Sequence, residues 1–469
     1  MKALPEITAV ILEALPETHN IKIKYPMKIT LPKHSRLTSK EFTLGVATAS
    51  FQIEGGAEHR LPCIWDTFCR KENAIADNSN GEIACDHYHL WQQDIEMISA
   101  LGVDAYRLSI SWGRVMNQDG SPNQIGIDFY LKILEALKAK NIKAFVTLYH
   151  WDLPQYLEDQ GGWLNRATAY KFKAYAELVI KAFGDLVYSY ATLNEPFCSA
   201  YLGYEIGIHA PGIKGREFGK KATHHLLLAH GLAMQVLAKL SPNTLNGIVL
   251  NFTPCYPNTN NADDIVAAKY ADDYFNQWYI KPIFDAQYPD ILASLPAIEH
   301  PEIQAGDLQI IAHPLDFLGV NYYTRAVYQA DNKEIFSQVN LDDVPLTDMG
   351  WEVYPQGFTD LLVDLNNRYH LPPVYITENG AAMPDTIINN TVNDEARVSY
   401  YHSHLNAVHQ AIEQGVNIKG YFAWSLMDNF EWAEGYLKRF GIVYVDYQSQ
   451  QRTIKASGYA YRDFIQQRQ

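Results

Sequence analysis

Val187-Tyr188-Ser189-Tyr190-Ala191-Thr192-Leu193-Asn194-Glu195-Pro196 is an apolar, β-prone run that ends on a carboxylate and is stopped by proline. The arrangement returns in Pro373-Val374-Tyr375-Ile376-Thr377-Glu378-Asn379-Gly380, where the turn signal is Asn-Gly. A carboxylate at the end of a buried strand is aimed into whatever space the strand ends enclose. Taken singly, each Glu reads more readily as a helix cap or a solvated loop residue than as a catalytic group. Taken together, from distant parts of one chain, they form the acid and nucleophile pair that glycoside hydrolysis needs.

Working outward from these two runs, short β-like segments alternate with helix-like ones to the end of the chain. The expected strands are Thr43 to Ala47, Ala105 to Ile110, Ala144 to Tyr149, Val187 to Leu193, Gly247 to Phe252, Phe317 to Tyr322, Val374 to Thr377 and Gly420 to Ser425. Amphipathic stretches lie between them, among them Leu131 to Lys140, Lys171 to Phe183, His224 to Leu240 and Ser399 to Gln414. Eight β-then-α units with no linker predict an α/β fold, a single (β/α)8 barrel with long βα loops. A doubly wound open sheet is the alternative, but its Gly-rich phosphate fingerprint is missing after the first strands. A barrel places its active site at the carboxyl ends of its strands. Polar residues recur there: Gln52 and Glu54, Arg107, His150 and Asp152, Asn194 and Glu195, Asn251, Asn321 to Tyr323, Glu378 and Asn379, with Trp424 closing the ring.

The chain has 469 residues, long for one core unless it is such a barrel. Its net charge of -15 argues against nucleic acid or anionic membrane as the main partner. The 5 cysteines show no metal-like spacing and read as buried free thiols of a cytoplasmic protein. No apolar run is long enough to span a membrane. The first forty residues read as an N-terminal extension (1–40) of unreadable purpose, with Ile21-Lys22-Ile23-Lys24 alternating like an edge strand, ahead of a catalytic barrel over 41–469.

Several separate motifs carry a family resemblance: Gly45-Val46-Ala47-Thr48-Ala49-Ser50-Phe51-Gln52-Ile53-Glu54-Gly55, Ala84-Cys85-Asp86-His87-Tyr88-His89, Tyr106-Arg107-Leu108-Ser109-Ile110-Ser111-Trp112, His150-Trp151-Asp152-Leu153-Pro154, and Trp424-Ser425-Leu426-Met427-Asp428-Asn429-Phe430-Glu431-Trp432, besides the two Glu segments. In this order they resemble glycoside hydrolase family 1, the β-glucosidase family. The resemblance implies a retaining double displacement on a terminal β-D-glucosyl residue, with Glu195 as acid/base and Glu378 as nucleophile. It places Arg107 and Tyr323 beside Glu378, and gives Gln52, His150, Asn194, Trp424, Glu431 and Trp432 to the sugar. Trp351 resembles the ring that stacks on the aglycone; it reads equally as a loop aromatic packing locally. The implied partner is a small β-glycoside or oligosaccharide, with no metal and no organic cofactor. A homo-oligomer is compatible with the sequence.

The chain departs from the family pattern at Leu44, where Trp is usual, at Leu90, where Arg is usual, and at Gly113, where Pro is common. Two other activities stand as alternatives. One is a 6-phospho-β-glucosidase, a branch that carries Ser at the position of Glu431 and Tyr at that of Phe440. The other is a non-catalytic sugar-binding relative, expected to have lost one of the two Glu residues.

Overall fold

The computed structural model describes residues 28–332 and 335–468; the expected edge strand at Ile21 to Lys24 lies outside them. Eight parallel strands close a barrel in chain order: β1 (Thr43–Ala47), β2 (Ala105–Ser109), β3 (Lys143–Tyr149), β4 (Ser189–Asn194), β5 (Leu245–Phe252), β6 (Phe317–Tyr322), β7 (Val374–Asn379) and β8 (Ile418–Trp424). Every one of the eight expected strands is present, its ends shifted by at most two residues. Their apolar runs are legible because a parallel strand covered by helices outside and side chains inside is buried on both faces. Closure pairs Thr43 with Gly420 and Ala47 with Trp424, so the carboxyl ends of β1 and β8 finish level. The four expected amphipathic stretches are helices over Gln124–Ala139, Ala167–Phe183, Arg216–Leu240 and Glu395–Glu413.

The amino-terminal half of the barrel interior is filled by rings. Phe145 on β3 meets Phe422 on β8 at 4.8 Å and Tyr375 on β7 at 5.5 Å, and Tyr375 meets Phe317 on β6 at 5.7 Å. Space for them comes from glycine: a Cβ on Gly45 would lie 2.5 Å from the Phe422 ring, and one on Gly420 2.6 Å from Tyr375. A packed floor of this kind confines open space to the other end of the strands.

The first and last described segments tie the outside together. Thr30 donates its backbone N–H to His402 on the Glu395–Glu413 helix at 3.2 Å. Arg468 grips Asp104 through two 2.8 Å bonds and donates to the Phe42 carbonyl at 2.7 Å. A small sheet of Cys255–Pro257, Ala326–Asp331 and Ile335–Gln338, which the periodicity reading does not contain, stands beside the carboxyl ends of β5 and β6. No described helix is long and apolar enough to cross a membrane.

Candidate active site

Glu378 is the penultimate residue of β7, beside Asn321 of β6 and in register with it. Arg107, reaching across from β2, donates Nη1 to Glu378 Oε1 at 2.5 Å, and the Tyr323 hydroxyl donates to Oε2 at 2.7 Å. Both carboxylate oxygens therefore accept strong donors, one of them cationic. Burial pushes this carboxyl's proton affinity up, and the Arg107 charge and the two hydrogen bonds oppose it.

Glu195 follows β4 directly and has no cation in contact among the described residues. Its Oε1 accepts from Asn321 Nδ2 at 2.7 Å and its Oε2 from the Cys198 thiol at 3.1 Å. Burial first, and then the negative charge of Glu378, raise its pKa above the carboxylate range. The pair shares its titration. With Arg107 and Tyr323 on Glu378, the single proton left at neutral pH belongs on Glu195. The Glu195 backbone is left-handed at φ 43°, as are Trp151 at 76° and Trp432 at 50°. Left-handed geometry costs a non-glycine residue about 1–2 kcal/mol, and such strain gathers at functional sites.

One amide network links the two carboxylates. Asn194 Oδ1 accepts from Arg107 Nη2 at 2.6 Å and from Asn321 Nδ2 at 3.2 Å, and Asn194 Nδ2 donates to His150 Nε2 at 3.0 Å. Asn321 Oδ1 in turn accepts from Thr377 at 2.6 Å. Asn321 is among the expected rim residues, with no role legible from the sequence; its bonds to Thr377, Glu195 and Asn194 span 56, 126 and 127 positions and bridge β4, β6 and β7.

Besides Arg107 Nε, three buried polar atoms of the expected site residues have no partner among the described residues: Gln52 Oε1, His150 Nδ1 and Glu431 Oε2. Gln52 is held by its amide nitrogen, which donates at 2.9 Å to Asn429 Oδ1 and to the Phe430 carbonyl, leaving its oxygen free to accept. His150 is kept neutral by burial and by Arg107. With Nε2 accepting from Asn194, its Nδ1 carries the proton and can donate. Unpaired buried polar groups are costly unless a ligand completes them, and these three offer the alternation of acceptor and donor that a row of hydroxyls requires.

Apolar walls surround them. The His150 ring is inclined by 17° to Trp424, 5.9 Å away, and by 17° to Trp432, 6.0 Å away. Trp432 packs on Trp151 at 4.4 Å, and the Trp151 indole donates to the Asn194 carbonyl at 2.8 Å. Trp351 is half-buried, 5.5 Å from Tyr323 and 6.1 Å from Phe440, beside the Glu378 end of the site. The structure thus brings all eleven expected site residues to the same end of the barrel.

Two rim residues of the sequence reading face the scaffold instead. The Glu54 carboxylate accepts from Arg114 Nε at 2.9 Å and from Tyr130 at 2.6 Å. Asn379 is consumed by the Tyr322 carbonyl, Tyr400 and Tyr421. Gly113, where the family commonly has proline, has room for little else: a Cβ there would sit 2.9 Å from the Leu61 carbonyl.

A (β/α)8 barrel with one charge-paired and one proton-holding carboxyl at its carboxyl-terminal mouth is the site of a glycosidase. The chain belongs to glycosyl hydrolase family 1, whose model matches residues 34–469; members of this family are retaining enzymes. It is 44% identical over 427 residues to a β-glucosidase of Agrobacterium sp., covering 89% of this chain and 93% of that one. A family 1 β-glucosidase of Thermotoga maritima, solved with isofagomine lactam, superposes with a TM-score of 0.88 at 42% identity, covering 91% of this chain and 98% of the other. Virulence factor SghA of Agrobacterium tumefaciens, solved with its substrate analogue salicin, gives 0.89 at 42% identity, covering 92% and 96%.

Proposed function

We propose that residues 41–469 form the catalytic barrel of a retaining β-glucosidase that removes terminal non-reducing β-D-glucosyl residues from small glycosides or oligosaccharides. The observation that carries this reading is the asymmetry of the two carboxyls. Glu378, held as the anion by Arg107 and Tyr323, attacks the anomeric carbon and forms a glycosyl ester. Glu195, bonded among the described side chains to neutral donors alone, gives its proton to the departing oxygen. Once Glu378 is esterified its charge is gone and Glu195 holds its own proton less tightly. Glu195 then takes a proton from the water that cleaves the ester, and configuration at the anomeric carbon is retained.

In this reading Gln52 Oε1, His150 Nδ1 and Glu431 bind the glucose hydroxyls, Trp424 and Trp432 wall the pyranose, and Asn194 addresses the 2-hydroxyl. Trp351 borders the aglycone. The β-glucosidase names of the relatives support glucose as the sugar. The free sugar is favoured over its 6-phosphate by three neighbours. Glu431 is a carboxyl group whose pKa burial and the charges of Glu378 and Glu195 push up to about 8, and ionised or not it offers a phosphate no positive charge. The Lys438 ammonium is already engaged, donating to the Asp348 carbonyl at 2.6 Å. Phe440 is buried and has no hydroxyl to offer. All five cysteines are free, which supports a cytoplasmic setting.

The test is hydrolysis of p-nitrophenyl β-glucoside by purified protein, with proton NMR of the first sugar anomer released. β-Glucose appearing first is expected. No release would overturn the activity, and α-glucose first would overturn the retaining assignment.

A further inference from the structure

The chain leaves β4 through a tight turn in which the Cys198 backbone N–H donates to the Glu195 carbonyl at 2.9 Å. Cys198 then opens a π-helical segment, Cys198–Glu205, a rare geometry that recurs at functional sites. The same residue returns its side chain to Glu195: Sγ lies 3.1 Å from Oε2, and both side chains are buried. Backbone and side chain of one residue thus hold the glutamate that sits at φ 43°. The sequence reading takes Cys198 as a buried free thiol.

We infer that Cys198 is a positioning residue for Glu195, its S–H donating a hydrogen bond that fixes Oε2 and favours the ionised carboxylate over the acid. The inference rests on the reading of Glu195 as acid/base. Burial and the neighbouring Glu195 charge push the thiol's own pKa well above its ordinary value, so it remains an S–H donor. The other groups whose charge bears on Glu195 are Glu378 on β7, Arg107 on β2, Tyr323 just after β6, and Glu431 in the loop after β8. The first opposes ionisation and Arg107 favours it. Among the described side chains only Asn321 and Cys198 hydrogen-bond the carboxylate itself. A donor to the anion lowers the pKa, and the thiol loses that advantage when Glu195 is protonated. Cys198 thereby brings the acid down from the value burial alone would set, toward one at which it can give a proton in the first step and take one in the second.

The experiment compares Cys198→Ala, Cys198→Ser and Glu195→Gln with wild type, each first matched for thermal unfolding midpoint. The readout is the basic limb of kcat/KM against pH on an aryl glucoside with a poor leaving group. In Cys198→Ala that limb is expected to move up by roughly half a pH unit, the size of one weak neutral hydrogen bond. Cys198→Ser, which keeps a donor, is expected to return the limb to wild type or below. An Ala variant with an unmoved limb overturns the inference. So does an equal shift in Ala and Ser, which would trace to packing. Glu195→Gln separates the two levels: if it keeps the basic limb, the acid/base reading itself fails; if it loses the limb while Cys198→Ala leaves it in place, only the role of the thiol fails.

Discussion

Replacing Tyr323 by Phe removes one oxygen and leaves the ring. That ring would keep its contacts with Trp351 at 5.5 Å and Phe440 at 6.0 Å, so the change isolates the 2.7 Å hydrogen bond to Glu378 Oε2. A bond from a neutral hydroxyl to a buried carboxylate contributes about 1.5–3 kcal/mol. Arg107 still holds the other oxygen, so Glu378 stays paired and the lower half of that range applies, about 1.5–2 kcal/mol. Its sign follows from which form is favoured. The hydroxyl donates to the anion and holds the pKa of Glu378 down; without it the pKa rises. The acidic limb of kcat/KM, which reports the nucleophile becoming ionised in the free enzyme, should therefore move up by roughly 1–1.5 pH units. Above that limb the rate should remain about tenfold or more lower, because the carboxylate is no longer fixed for in-line attack. The assay is kcat/KM for p-nitrophenyl β-glucoside across pH, with the unfolding midpoint as control. An acidic limb in its wild-type place, with kcat/KM within about twofold, would refute the claim that Tyr323 holds the nucleophile as its anion.

Glu378→Ala should abolish turnover of aryl glucosides with the fold intact, and azide should restore part of it while giving a glycosyl azide of inverted configuration; full activity without azide would mean another nucleophile. Free β-glucosides should be cleaved with a kcat/KM at least about a hundredfold above their 6-phosphates, a gap of roughly 2.7 kcal/mol, because Glu431 would face a phosphate of about -1.5 to -2 charge; parity between the two substrates would contradict the placing of Glu431 on the sugar. Asp428→Ala should lower unfolding stability by roughly 3–5 kcal/mol, read as a lower urea midpoint, since Asp428 binds buried Lys455 at 2.7 Å and Arg439 at 2.6 Å. A midpoint at the wild-type value would show that those cations find other partners.

What could be read from the sequence was whatever is written locally. Each barrel strand is a buried apolar run, and Glu195, Glu378 and His150 stand within two residues of the end of such a run, so they announced themselves by position. Contacts between distant segments were not legible. Nothing near Glu54 shows that it faces Arg114 and Tyr130 rather than the cavity. Likewise nothing near Asn379 marks it as the partner of Tyr400 and Tyr421. Asn321 and Cys198 act on Glu195 through single hydrogen bonds that only the folded turn after β4 creates. The left-handed backbones of Glu195, Trp151 and Trp432 fall on residue types that rarely adopt that geometry, so no propensity rule points to them.

The aromatic floor of Phe145, Phe317, Tyr375 and Phe422 makes the site a cul-de-sac, and a cul-de-sac dictates the order of traffic. A sugar chain cannot thread through it, so only a chain end can be trimmed. The leaving alcohol stands between the bound sugar and the exit and must depart first. Water reaches the ester through the space the alcohol has vacated, and the glucose leaves last by the same mouth. Any other alcohol that enters before water does can take the sugar, so the same floor that enforces end-trimming also opens a route to building new glycosides when acceptors are concentrated.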